Sequence, residues 1–525
     1  MTGNARDRQS VVFCRQGWPP GRLARLGAHT IPVNVAFLQE LLGTVAEQGR
    51  QLLPRSLGGS SQRASLSELA AALLSGRGEA SGVAIASDIL ARYRALEGEK
   101  RHAFLSHLAT MQPDADALTA AARAYLANPD TPSVALLQRA VESPRQEFFR
   151  RLNLAPGATA QIVAMRQDLL GIADPALAFV DRDLMHLLAS WFNRGFLVLR
   201  RIDWQTPAAI LEKIIEYEAV HEIQGWDDLR RRLDPGDRRC FAFFHPSLVD
   251  EPLIFVEVAL MRDIPDDIQA LLREAPKNGE VAETPTTAVF YSISNCQDGL
   301  RGISFGNFLI KQVVEELVKE CASLRTFVTL SPVPQFASWL ARARAEPESS
   351  LIDGGERERL SLLDVPDWIY TYGNEVMRPL LMRLAAHYFL NVKNRDGYPV
   401  DAVARFHLGN GARLERINWQ GDISAKGLRE AHGLMCNYRY ELREIEKNHE
   451  AYENEGLVAA SRQVHAQLKP ERGRSEPGRF LQLPGLRSAR SGQARDREQA
   501  RDEARDAARD EARGEARDES RDESE

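Results

Sequence analysis

The stretch Leu253-Ile-Phe-Val-Glu-Val-Ala-Leu-Met261 is the richest apolar run in the chain, and Glu257 interrupts it. It falls short of the roughly 18 residues a membrane-spanning helix requires. Its aromatic and β-branched residues make it the clearest strand candidate. Upstream, Cys240-Phe-Ala-Phe-Phe-His245 is a second short strand, and a turn carrying Pro246 and Pro252 should join the two as a hairpin. A helix over Pro207 to Val220 precedes them. Thr287 to Ser294 (TAVFYSIS) reads as another strand, followed by a glycine-containing loop, a helix from about Asn307 to Glu320, and a strand from Arg325 to Leu330. Asn374 to Val392 is helical, and Ala404 to His407 and Ala412 to Asn418 are expected to be extended. This alternation predicts a mixed α/β domain over residues 204–468.

The preceding segment, residues 31–203, has a different period. Ser65 and Glu68 form a capping-box pair ahead of Leu66, Leu69, Leu73 and Leu74. Further helices are predicted over Val83 to Glu97, Pro113 to Leu126, Gln146 to Leu152 and Ala160 to Leu170, and Leu184, Leu187, Leu188, Trp191 and Phe192 keep helical spacing. Asn128-Pro129-Asp130 and Ala155-Pro156-Gly157 are turns between them. The expectation is an all-helical domain without catalytic residues of its own. Residues 1–30 form an irregular extension. From residue 469 the chain becomes a low-complexity tail, and residues 494–525 consist almost wholly of Ala, Arg, Asp and Glu. Such a segment cannot bury a core, and disorder is expected there.

Composition removes several functions. The formal net charge of −6 gives no electrostatic basis for a nucleic-acid partner, and no basic patch is interleaved with aromatics. The five cysteines (Cys14, Cys240, Cys296, Cys321, Cys436) are scattered without a CxxC or CxxH, which speaks against a zinc site and a disulfide framework. With neither a secretory h-region nor a membrane span, a cytoplasmic soluble protein without a membrane partner is the expectation.

Three constellations carry chemistry. The first is Arg301-Gly302-Ile303-Ser304-Phe305-Gly306-Asn307, between a strand and a helix. Unpaired N–H groups at a helix start suit phosphate, and Gly302 and Gly306 permit close backbone approach. The spacing of Arg301 and Gly306 resembles the pyrophosphate loop of the N-acetyltransferase (GNAT) superfamily, although Ser304 stands where that superfamily usually has glycine. The second is Thr329-Leu-Ser331-Pro-Val-Pro-Gln-Phe336, where Ser331 closes a strand and two prolines stop it. It suits a positioned hydroxyl; it equally suits a strand-ending serine bonded to local backbone. The third is Ala404-Arg-Phe-His407-Leu-Gly-Asn410-Gly-Ala412, in which His407 is either a packed core residue or a functional one, and Asn410 is either a left-handed turn residue or a site residue.

Taken in order, AVFYSIS, RGISFGNFLIK, TLSPVPQF, RFHLGNGA, RINWQGDIS and GLMCNYRY resemble the malonyl-CoA decarboxylase family, over roughly residues 65–465. The resemblance implies a helical N-terminal domain, then a GNAT-like α/β catalytic domain, giving an α+β multi-domain chain. It implies conversion of malonyl-CoA to acetyl-CoA and CO2 without metal or organic cofactor, commonly in a homo-tetramer. By the same resemblance Arg301 to Asn307 bind the CoA part of malonyl-CoA, Ser331 is a catalytic hydroxyl, and His407 is a proton donor. Tyr440 and Asn410 join them as further active-site candidates. The family often has glutamate at position 304, so the Ser304 side chain receives no chemical role. The loop alone also admits a CoA-dependent acetyltransferase or a non-catalytic malonyl-CoA sensor. The presence of both Ser331 and His407 argues against the sensor, because binding alone requires neither.

Overall fold

The capping box forms as the sequence predicts. Ser65 Oγ accepts the Glu68 N–H at 3.2 Å, and the Glu68 carboxylate accepts the Ser65 N–H at 2.6 Å. They start α1 (Leu66–Leu74) in a computed structural model that describes residues 43–48, 64–76, 78–273, 284–303, 308–346 and 351–468. The extension 1–30 and the charged tail 469–525 lie outside the described residues.

Seven further helices follow: α2 (Glu79–Arg94), α3 (Gly98–Ala109), α4 (Ala115–Ala127), α5 (Thr131–Val141), α6 (Pro144–Leu152), α7 (Ala158–Ile172) and α8 (Ala178–Trp191). Their apolar stripes meet around Leu69, Ile85, Leu105, Phe148, Phe149 and Leu184, all fully buried. Among the ion pairs of this region, that of Asp183 with Arg145 is the more deeply buried of the two on α8. Asp183, on α8, accepts from Arg145 Nε at 2.7 Å, Ser143 Oγ at 2.9 Å and Gln146 Nε2 at 2.7 Å.

Beyond Phe196 the chain forms an eight-stranded sheet. Its strands are β1 (Val198–Ile202), β2 (Arg238–Phe244), β3 (Pro252–Met261), β4 (Thr287–Asn295), β5 (Thr326–Thr329), β6 (Ser331–Pro332), β7 (Arg413–Asn418) and β8 (Met435–Arg439). The spatial order is β1-β2-β3-β4-β5-β8-β6, with β7 beside β8. The predicted β2–β3 hairpin is present and antiparallel. β4 and β5 are parallel, as a crossover through α12 requires.

Helices cover both faces of the sheet, which is why β3 reads as an almost unbroken apolar run. On one face α9 (Ala208–Tyr217) and α10 (Trp226–Leu233) place Ile210, Ile214 and Leu229 against Cys240, Phe244 and Phe255. A short α11 (Ile268–Arg273) extends that layer. On the other face α12 (Phe308–Glu320) sets Leu309, Val313 and Leu317 against Phe290 and Phe327. The chain then passes through α13 (Phe336–Ala345), α14 (Gly354–Leu360), α15 (Trp368–Thr371), α16 (Arg378–Asn391) and α17 (Ala402–Gly409) before β7. Short α18 (Ala425–Ala431) separates β7 from β8, and α19 (Ile445–Glu455) and α20 (Arg462–Gln467) close the described chain. A helical region followed by a mixed α/β sheet is thus the architecture.

β4 and β5 run together only as far as Phe290 and Thr329. Beyond that point β4 continues along β3 to Asn295, while Ser331 leaves it and pairs with Cys436 of β8. The sheet therefore opens beside Ser331. In consequence Ser331 does not close β5; it begins the separate two-residue β6, and Pro332 ends it.

Ala404 to His407, expected to be extended, are helical within α17. Asp401 caps that helix by accepting the Ala404 N–H at 2.9 Å. The buried residues Ala404, His407 and Leu408 stand at i, i+3 and i+4, a helical period that four residues taken alone do not reveal. Asn410 is likewise not in the left-handed region, with φ −86°; Gly411 carries the turn at φ +78°. A Cβ at Gly411 would stand 2.2 Å from the Ile445 carbonyl oxygen.

Candidate active site

Three elements come together where β4 and β5 part, and a fourth faces α17 across a cavity. β6 supplies Ser331, α17 supplies His407, the end of β8 leads to Tyr440, and the turn after β4 supplies Arg301, Gly302 and Ile303. The Tyr440 N–H donates to the Phe327 carbonyl at 2.8 Å, which anchors that residue against β5.

Three of the sequence candidates form one hydrogen-bonded chain. Ser331 Oγ lies 3.2 Å from His407 Nε2, and His407 Nδ1 lies 2.8 Å from the Tyr440 hydroxyl. Ser331 Oγ also donates to Thr329 Oγ1 at 2.8 Å, and that oxygen accepts the Tyr438 N–H at 3.0 Å. With Ser331 donating to Thr329, the consistent arrangement has His407 Nε2–H donating to Ser331 and Tyr440 O–H donating to His407 Nδ1.

Burial sets the protonation states. His407 and Tyr440 are each 3% exposed and Ser331 is 5% exposed. Desolvation pulls the His407 pKa down to about 3, so the ring is neutral at physiological pH. Desolvation also raises the Tyr440 hydroxyl well above its ordinary value, which keeps it protonated and a hydrogen-bond donor.

Asn410 does not join the chain. Its Nδ2 donates back to the Phe406 carbonyl at 2.5 Å. It lines a cavity of about 660 Å³ together with Arg301, Gly302, Ile303, Phe406 and His449. Ser331 and His407 are not among the residues lining this cavity. Tyr440 contributes instead to a neighbouring groove of about 480 Å³ with Ile310, Lys311, Val314 and Leu442.

Of the loop residues, Arg301 is exposed and its guanidinium pairs with Asp298 at 3.0 Å. Gly302 adopts φ +82°, and Ile303 is buried. Ser304, Phe305, Gly306 and Asn307 lie outside the described residues. Among the described residues no three His, Cys, Asp or Glu side chains converge to hold a metal ion.

Three residues of this region were not anticipated. Thr329 and Tyr438 stand two positions before Ser331 and Tyr440, and strand alternation was the available signal. Arg166 is the third: it is fully buried on α7 and donates to the carbonyls of Gly299 and Arg301 at 2.7 and 2.8 Å. The clue lay in one arginine amid Ile162, Val163, Met165 and Leu169.

Known proteins match this architecture along most of the chain. Residues 111–192 match the malonyl-CoA decarboxylase N-terminal domain, and residues 195–477 match the malonyl-CoA decarboxylase C-terminal domain. The goose (Anser anser anser) mitochondrial malonyl-CoA decarboxylase is 38% identical over 351 residues, 61% of this chain and 69% of that protein. The crystal structure of malonyl-CoA decarboxylase from Rhodopseudomonas palustris superposes with a TM-score of 0.73 at 55% identity, covering 76% of this chain and 98% of that one. That from Agrobacterium vitis gives 0.73 at 54% identity, covering 77% and 99%. With both domain models matched in order, and with relatives that align across the sheet and the helical region alike, this chain belongs to the malonyl-CoA decarboxylase family.

Proposed function

We propose that this chain converts malonyl-CoA to acetyl-CoA and CO2, with Ser331, His407 and Tyr440 as the reacting side chains and Arg301 to Asn307 holding the CoA phosphates. The observation that carries the assignment of residues is the buried chain Tyr440–His407–Ser331 beside the parted strands β4 and β5. Family membership supports the reaction.

Loss of CO2 breaks the bond between the carboxylate carbon and the methylene carbon, and the electron pair moves into an enolate of the thioester. The barrier falls when the carboxylate is held out of the thioester plane and donors meet the developing oxyanion. In this reading the Ser331 hydroxyl turns from Thr329 to the departing carboxylate. His407, neutral and donating through Nε2, faces the enolate and gives its proton to carbon. The Tyr440 proton passes to Nδ1 at the same time, so the ring stays neutral throughout, and Tyr440 regains a proton from solvent. The sum is malonyl-CoA plus one proton giving acetyl-CoA and CO2.

The same reading makes the enzyme a cytoplasmic homo-tetramer. The family resemblance supports the tetramer, and the free Cys240, Cys296, Cys321 and Cys436 fit a reducing compartment. No described helix is long and apolar enough to cross a membrane.

Mass spectrometry of malonyl-CoA incubated with purified protein tests the reaction. Acetyl-CoA should appear without an amine acceptor, and a chelator should not stop it. Free CoA released only with an amine would indicate an acetyltransferase. Malonyl-CoA bound tightly and left unchanged would indicate a sensor.

A further inference from the structure

The helical region reaches the candidate phosphate turn through one buried guanidinium. Arg166 Nε donates to Asp181 on α8 at 2.7 Å, while Nη1 donates to the carbonyl oxygens of Gly299 and Arg301. The turn lies directly against α7: a Cβ at Gly299 would stand 2.0 Å from the Val163 carbonyl oxygen, one helical turn before Arg166. On the α8 side, Met185 Cε lies 3.5 Å from where a Gly302 Cβ would be, and Met185 is one turn after Asp181.

We propose that Arg166 is a positioning residue for the substrate, and that it acts through the backbone of the turn. In a trans peptide the C=O and the following N–H point in opposite directions. Holding the Arg301 carbonyl toward α7 therefore aims the Gly302 N–H away from the helix, to the side where Gly302 and Ile303 line the 660 Å³ cavity. Among the described residues that N–H donates to no carbonyl. It is thus left to a ligand, and an anionic oxygen is the acceptor that such an N–H binds best. The positive φ of Gly302 completes the presentation. The arginine fork is needed because one side chain must serve a carboxylate and two carbonyls at once; a lysine ammonium lacks that fixed spread of donors. The helical region, which bears none of the reacting groups, thereby becomes a determinant of substrate affinity.

This inference rests on the reading that the turn holds the CoA pyrophosphate, and a pair of substrates separates the two. Malonyl-CoA and malonyl-pantetheine share the thioester, but only the first carries the pyrophosphate. The purified full-length wild type should prefer malonyl-CoA in kcat/KM. Arg166→Met should raise the KM for malonyl-CoA about tenfold, the size of one lost hydrogen bond to a charged acceptor. Its kcat should stay within about twofold and its kinetics on malonyl-pantetheine should be unchanged, as expected for lost binding without lost chemistry. Asp181→Asn, at a partly exposed partner, should shift the malonyl-CoA KM in the same direction by less, and it carries the test if Arg166→Met does not fold. An equal loss on both substrates would reduce Arg166 to a structural residue, and unchanged KM values in both variants would also overturn the proposal. A wild type with no preference between the substrates would overturn the phosphate reading itself, and the inference with it.

Discussion

The imidazole of His407 lies face to face with the ring of Tyr438, centroids 4.6 Å apart and planes 23° apart. The stack leaves both ring nitrogens in the plane where Ser331 and Tyr440 meet them. Tyr438 thus orients His407 with its ring face. Tyr438→Phe should keep near-wild-type turnover, whereas Tyr438→Leu should lower kcat by about tenfold, the worth of one aromatic contact. Steady-state kinetics of the two variants check this. Equal activity in both would mean that the stack does not hold the imidazole.

The hydrogen-bonded chain ranks its own members. His407→Asn removes the proton donor and should cut kcat by roughly 10²–10⁴-fold, the usual scale of a general acid. Tyr440→Phe leaves His407 Nδ1 without its donor and should cost less. Binding of CoA should persist in both, since neither side chain belongs to the 301–307 turn. Isothermal titration with CoA beside kcat measurements separates the two effects. A His407→Asn enzyme with near-wild-type turnover would remove His407 from the mechanism.

Much of this organisation was legible in the sequence, because long elements carry their own period. The β2–β3 hairpin and the α1 capping box follow from apolar pattern and cap chemistry alone. The segment around His407 was misjudged because its four residues span barely one helical turn; what decides it is Asp401, three positions before Ala404, acting as a cap. For the candidate site, motif resemblance singles out Ser331, His407 and Tyr440. Their contact, however, joins residues 76 and 33 positions apart in sequence, and only the parting of β4 from β5 brings it about. Arg166 escaped for a related reason. Its acceptors on the turn are carbonyl oxygens more than 130 residues away, and carbonyls carry no sequence signature.

The helical region contains a stability test that is independent of catalysis. The Asp183 carboxylate accepts from Ser143, Arg145 and Gln146, and the Arg145 side chain is 2% exposed. Removing the carboxylate strands a buried guanidinium, so Asp183→Ala should destabilise the protein by about 3–5 kcal/mol. Chemical denaturation monitored by circular dichroism measures it. A loss below about 1 kcal/mol would mean that Arg145 finds adequate compensation from its carbonyl partners on Leu108 and Ala109.

Acid should affect folding before it affects the chemistry. Burial holds His407 at about 3 and His221 at about 4, both below the ordinary histidine value of 6.5. Between these values and 6.5 the unfolded chain binds protons that the folded chain refuses, so unfolding takes up protons there. Stability therefore rises with pH across that window: it is fully present above 6.5 and is lost as pH falls through the folded values. Turnover should show no acid limb centred at 6.5, because His407 remains neutral well below it. Thermal unfolding followed from pH 7 to pH 4.5 should show a declining Tm. The decline should be shallower in His407→Asn, whose side chain takes up no proton on unfolding. A parallel decline in the two proteins would show that His407 titrates alike in both states, and the neutral, buried imidazole on which the proton transfer depends would have to be abandoned.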